Sequence, residues 1–187
     1  MIALSSDSDE YLKIAEEAGA DVMIKRPDEL ASDTAGSMDV ILHALDVCET
    51  QVGAPFDTVC LLQVTSPLRA PHHIPEAIEK LETGAKDSVL SVAAAKNSPY
   101  FNMLEQDIQG QTYRLSKPLP AEVTRRQDAP SVFQLNVLIY VWNRDALLSQ
   151  KTALCQNTDV YEMSALHSVV IDTQEDWAFA ELAASLL

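Results

Sequence analysis

The sequence is poor in glycine, in aromatic residues, in cysteine and in positive charge. Only 5 of its 187 residues are glycine. None of them forms the glycine-rich first turn on which α/β proteins usually seat a phosphate. Either phosphate is not bound, or the element that binds it is missing. Lys and Arg number 13 against 28 Asp and Glu, a formal net charge of −15. A field of that sign repels nucleic acid and anionic lipid, so neither is an expected partner. An anionic small substrate would need a local cluster of basic residues. The three cysteines, Cys48, Cys60 and Cys155, are odd in number and form no CxxC, as expected of free thiols in a reducing compartment. No stretch approaches the ~20 apolar residues of a membrane span. Met1–Leu4 lacks the features of a secretion signal, and the expected location is cytoplasmic. What is present, 47% hydrophobic and 22% charged residues, describes a soluble globular chain. It excludes a disordered polymer, a collagen-like repeat and a small disulfide scaffold. The length suits a single domain spanning 1–187.

Short apolar runs alternate with helical stripes. Ile2–Leu4 reads as the end of a buried strand, followed by a capping turn at Ser5–Ser8. Tyr11, Leu12, Ile14, Ala15 and Ala18 give one apolar helix face, ended by Gly19. Val22–Ile24 is a short strand, and Asp33 or Thr34 is expected to open a helix that buries Met38, Ile41, Leu42 and Leu45. Thr58–Val64 is a continuous apolar run, as expected of a central parallel strand covered on both faces. Ile74, Ala77, Ile78 and Leu81 mark a third helix, and Ser88–Ala94 another strand. This alternation implies an α/β sheet with right-handed crossovers. Residues 97–133 are polar, with a hairpin expected at Gly110, and read as an excursion from the sheet. Val137–Trp142 returns as a strand, Ser168–Ile171 is expected to be a last strand, and Thr173–Asp176 is a capping box for a C-terminal helix. There is no repeat, linker or low-complexity tract.

Four places can carry chemistry. Gln63, with Thr65 and Ser66, ends a strand at the sheet's carboxyl edge, where ligands bind; an ordinary strand terminus fits as well. Arg26 can clamp a phosphate or carboxylate, and Ala35 and Ser37 lie near a helix start where a ring can approach the backbone. A solvated loop with an N-cap is the plainer reading of that stretch. Arg125–Arg126 is a basic pair in an acidic protein, either an anion hook or a surface ion pair. Asp172 follows the last expected strand and can ligate Mg²⁺ shared with phosphates, or serve as a cap. His43, His72, His73 and His167 lack metal-ligand spacing, and His72–His73 is expected at the surface.

Seven stretches occur together: SSDSDE, RPDELASDTAGS, LLQVTSPLR with HIPEAI, SPYFNM, RRQDAP, LNVLIYVW and SVVIDTQEDW. In this order they resemble the acylneuraminate cytidylyltransferase family, which activates nine-carbon acidic sugars. The resemblance covers nearly the whole chain. It implies a Rossmann-like α/β nucleotidyltransferase sheet of the nucleotide-diphospho-sugar transferase type, a homodimer formed through the 97–133 excursion, and CMP transfer from CTP to a sialic or legionaminic-type acid. By motif, Arg26, Ala35 and Ser37 correspond to nucleotide-binding positions. Gln63, Arg126 and Tyr140 fall on the sugar side, and Asp172 corresponds to a Mg²⁺-binding and catalytic carboxylate.

The chain departs from the family in three ways. It begins after the family's phosphate-binding loop. Val170 stands where a second metal-binding aspartate is usual, and Val137–Leu138 follow Asn136 where small residues are usual. Reduced turnover is the expectation. A non-catalytic dimeric protein that binds the sugar or nucleotide, or a partial gene product, is the alternative.

Overall fold

The computed structural model describes residues 1–32, 34–119 and 125–187. By contacts the chain divides into two compact units. One comprises Met1–Gln63, Ile74–Leu90 and Ile139–Asp159, the other Val64–His73, Ser91–Leu138 and Val160–Leu187.

In the first unit, β1 (Ala3–Ser6) and β2 (Val22–Lys25) pair in parallel across helix α1 (Asp9–Glu17). Ser8 caps α1 by accepting from the Tyr11 N–H, and Gly19 follows the helix at φ +94°. The expected apolar face of α1 is only partly covered: Tyr11 and Ile14 are exposed. Helix α2 (Ser37–Val52) begins later than the sequence suggests. Asp33 lies outside the described residues. Thr34 is in a turn in which the Ala35 N–H bonds the Ser32 carbonyl, and Gly36 occupies the N-cap. A Cβ on Gly36 would sit 3.0 Å from the Asp39 carboxylate, an approach that only glycine allows without adjustment.

β3 (Thr58–Leu62) runs antiparallel to β7 (Phe133–Asn143), with Leu61 opposite Tyr140 and Val59 opposite Trp142. This corrects the expectation of a central parallel strand. With β4 (Ser88–Ala94) and β8 (Thr158–Glu162) the order is β3-β7-β4-β8, so β3 is an edge strand of that sheet. Helix α3 (His73–Thr83) falls where its periodicity puts it, and α4 (Arg144–Gln150) follows β7. Asn143 caps α4 by accepting from the Asp145 and Ala146 N–H groups.

The core of this unit gathers Leu45, Trp142, Leu147 and Cys155, with Met38, Ile41 and Leu42 of α2 against them. Trp142 is fully buried, and its indole N–H donates to the Ala153 carbonyl at 3.2 Å. Its burial contributes on the order of 4–6 kcal/mol. Arg144 holds Glu49 through two hydrogen bonds of 2.5 and 2.8 Å, tying α4 to α2.

In the second unit, β5 (Leu104–Gln106) and β6 (Tyr113–Leu115) form an antiparallel hairpin, with Gly110 at φ +71°. Ser168–Ile171 is not a strand, contrary to expectation. The Ile171 N–H donates to the Thr65 carbonyl, while Val169 packs on Ala180 and Ala183 of helix α5 (Gln174–Ala184). The expected capping box is formed: Thr173 accepts from the Asp176 N–H, and the Asp176 carboxylate accepts from the Thr173 N–H. His73 is not at the surface. It is buried, with its ring 4.7 Å from His167 and 5.9 Å from Tyr161.

Candidate functional site

The first unit holds a cavity of about 340 Å³ lined by residues of α2, β3 and β7 and of the segments that follow β3 and α4. That volume suits a small ligand. The start of α2 supplies Ser37, Met38 and Ile41, and β3 supplies Leu61. Gln63 follows Leu61 by two residues, so strand alternation carries it to the same face. Tyr140 and Trp142 also alternate to one face of β7, where their rings stack at 5.6 Å with a 13° interplanar angle. Burial raises the Tyr140 phenol above its ordinary pKa, so at neutral pH it remains a hydrogen-bond donor. Lys151 and Ala153, just beyond α4, complete the lining.

Three of the residues marked in the sequence, Ser37, Gln63 and Tyr140, therefore meet in one cavity. Arg26 does not line it. Its guanidinium donates to the Ser5 carbonyl at 2.7 Å and to the Ser5 hydroxyl at 3.3 Å. Ala35 lies in the turn before α2 and is not among the lining residues.

The second unit has its own cavity of about 440 Å³, lined by Lys96, Gln134, Asn136, Val137, Val170 and Asp172 among others. Buried Asn136 organises it. Its carboxamide oxygen accepts from the Ser91 hydroxyl at 2.6 Å, and its nitrogen donates to the Ser168 hydroxyl at 2.8 Å. The next residue, Val137, is at φ +53°, a conformation that opposes a β-branched side chain. Asp172 opens to this cavity, while the Asp176 carboxylate is engaged by Thr173 and the Asp172 N–H. Arg125 forms an exposed ion pair with Asp128 at 2.6 Å. Arg126 begins a 3₁₀ turn (Arg126–Asp128), and its side chain lies outside what the structure describes.

The sequence reading missed Lys151, Trp142 and Ala153 as pocket residues. The Asn143 cap followed by Arg144–Gln150 was the signal for α4, and Lys151 closes it in the left-handed conformation. Burial raises the thiol pKa of Cys48 and Cys155, which keeps both protonated and unreactive.

Compared with known structures, the chain superposes on CMP:2-keto-3-deoxy-manno-octonic acid synthetase complexed with CTP. The TM-score is 0.57 at 14% identity, covering 98% of this chain and 79% of that one. The likeness shows an α/β fold shared with that protein. Sequence relatives go further. The chain is 32% identical over 180 residues to post-translational flagellin modification protein B of Campylobacter coli, covering 96% of this chain and 75% of that protein. It is 31% identical over 185 residues to the CMP-N,N'-diacetyllegionaminic acid synthase of Campylobacter jejuni, covering 99% and 77%. It is also 31% identical to an N-acylneuraminate cytidylyltransferase of Streptococcus agalactiae, covering 94% of this chain and 40% of that one. The profile of the family described as cytidylyltransferase matches residues 1–185, and the chain belongs to that family.

Proposed function

We propose that this protein transfers CMP from CTP to an acidic nine-carbon sugar of the sialic or legionaminic type. One observation carries the reading: Ser37, Gln63 and Tyr140 line one cavity in a chain of the cytidylyltransferase family. Ser37, with Ala35 and Arg26 nearby in sequence, is assigned to the nucleotide. Gln63, Tyr140 and Arg126 are assigned to the sugar. In the reaction the anomeric hydroxyl oxygen forms a bond to the α-phosphorus of CTP. The bond from that phosphorus to the bridging oxygen breaks, and pyrophosphate departs. Asp172 is assigned to accept the hydroxyl proton. Tyr140, as a protonated phenol, is assigned to orient the sugar by donating a hydrogen bond.

Mg²⁺ belongs to the same proposal. Among the described residues no group of three or more His, Cys, Asp or Glu side chains can hold an ion. The Asp172 carboxylate nevertheless fits Mg²⁺ shared with substrate phosphates, which takes one or two protein carboxylates. When bound, the ion supplies charge neutralisation on the triphosphate. With Val170 in place of a second carboxylate, we expect it to be held weakly.

A homodimer through residues 97–133 is part of the reading. Leu104, Ile108 and Tyr113 of the hairpin region are all more than 60% exposed, an apolar surface suited to a second copy. The test is pyrophosphate release with CTP, Mg²⁺ and N-acetylneuraminic or legionaminic acid, with light scattering on the same sample. Sugar-dependent release from a particle of twice the chain mass is expected. Binding of CMP or sugar without any release would favour a non-catalytic binding protein.

A further inference from the structure

Lys151 stands out among the residues that line the first unit's cavity. It is the sole charged side chain among those lining residues. Its backbone is at φ 48°, ψ 44°, the left-handed conformation that follows a helix and favours glycine. Its peptide N–H is satisfied by the Leu147 carbonyl at 2.9 Å. Its ammonium has no hydrogen-bond or ion-pair partner among the described residues, in a protein whose net charge is −15. A position that favours glycine thus carries a long cationic side chain, in a residue that lines a cavity with no other charged lining residue. We propose that Lys151 is the charge-selecting residue of this pocket, its ammonium receiving an anionic oxygen group of the ligand.

This inference rests on the nucleotide–sugar reading above and adds to it. The chemistry required is a phosphate or a carboxylate close to groups that Ser37, Gln63 and Tyr140 can hydrogen-bond. CTP would bring the first and an acidic sugar the second. A cation at a helix C-terminus can also serve only to complement the helix dipole. That role would change stability when the lysine is removed and leave ligand affinity alone.

The experiment is calorimetric titration of CMP, and separately of N-acetylneuraminic acid, into the wild type and into Lys151→Met, Lys151→Gly and Lys151→Arg. Loss of a charged hydrogen bond predicts roughly ten- to hundredfold weaker binding in the Met and Gly variants. Lys151→Arg should keep most of the affinity. The Tm of Lys151→Gly should be unchanged or higher, because glycine relieves the left-handed backbone. A loss confined to CMP identifies phosphate as the bound group. A loss confined to the sugar identifies its carboxylate, and a loss for both means that the ammonium serves both. Met and Gly variants that bind both ligands within about twofold of the wild type would overturn the role of Lys151 and leave the reading of the pocket intact. A wild type that binds neither ligand would remove both.

Discussion

Val137→Gly offers a direct test of how the second unit's cavity is built. In an L-residue the left-handed conformation costs about 1–2 kcal/mol, which glycine does not incur. Against that gain, glycine is freer in the unfolded chain, a loss of about 0.4–1 kcal/mol. Val137 is half-buried, so removing its side chain forfeits roughly 0.5–1.5 kcal/mol of apolar burial. The sum runs from a loss of about 1.5 kcal/mol to a gain of about 1 kcal/mol. Val141, four residues further along the same strand, is fully buried and has no such backbone conformation. There the same substitution loses about 1.5–3 kcal/mol of burial and a further 0.5–1 kcal/mol for glycine within a strand. Urea denaturation of the two variants beside the wild type reads the contrast as a difference in midpoint at constant slope. Equal losses at the two sites would refute the account of Val137 as a strained wall of the cavity.

Two further outcomes follow from the geometry. Hydrogen bonds from Arg144 hold the Glu49 carboxyl at about 2, below its ordinary 4.5. Between those values the unfolded state binds more protons than the folded one. The stabilisation is therefore complete above pH 4.5 and is lost as the pH falls toward 2. The difference in urea midpoint between the wild type and Glu49→Gln should shrink across that window, and a constant difference would contradict the pairing. Val170→Asp should lower the Mg²⁺ concentration that half-saturates pyrophosphate release, by placing a second carboxylate two residues from Asp172. An unchanged Mg²⁺ requirement would count against Asp172 as the metal ligand.

Much of the fold was legible wherever a helix stripe or a capping signal was strong. Ile74, Ala77, Ile78 and Leu81 located α3, and Thr173–Asp176 located the start of α5. Strand direction was not legible. The apolar run from Thr58 has the same composition whether its partner runs parallel or antiparallel, and it pairs antiparallel with β7. Val169 and Ile171 satisfy their apolar character against α5 and its neighbours, so the run at 168–171 needed no strand partner. β8 passed unnoticed because its Thr-Asp-Val-Tyr-Glu sequence alternates poorly. Motif resemblance picked out Ser37, Gln63 and Tyr140, which line the first unit's cavity, and also Arg26, Ala35 and Asp172, which do not. Lys151 belongs to none of the motifs; its left-handed backbone and its place in the cavity lining are seen only in the structure.

The cavity of the first unit shares its walls with the hydrophobic core: Met38, Ile41, Leu61, Tyr140, Trp142 and Ala153 belong to both. On the proposed reading of this cavity, drift in these residues under selection for a new ligand would be penalised twice, once in recognition and once in folding. Ser37, Gln63 and Lys151 carry no such double duty. Diversification of ligand preference among descendants of this chain should therefore concentrate at those three polar positions, over an inherited apolar floor.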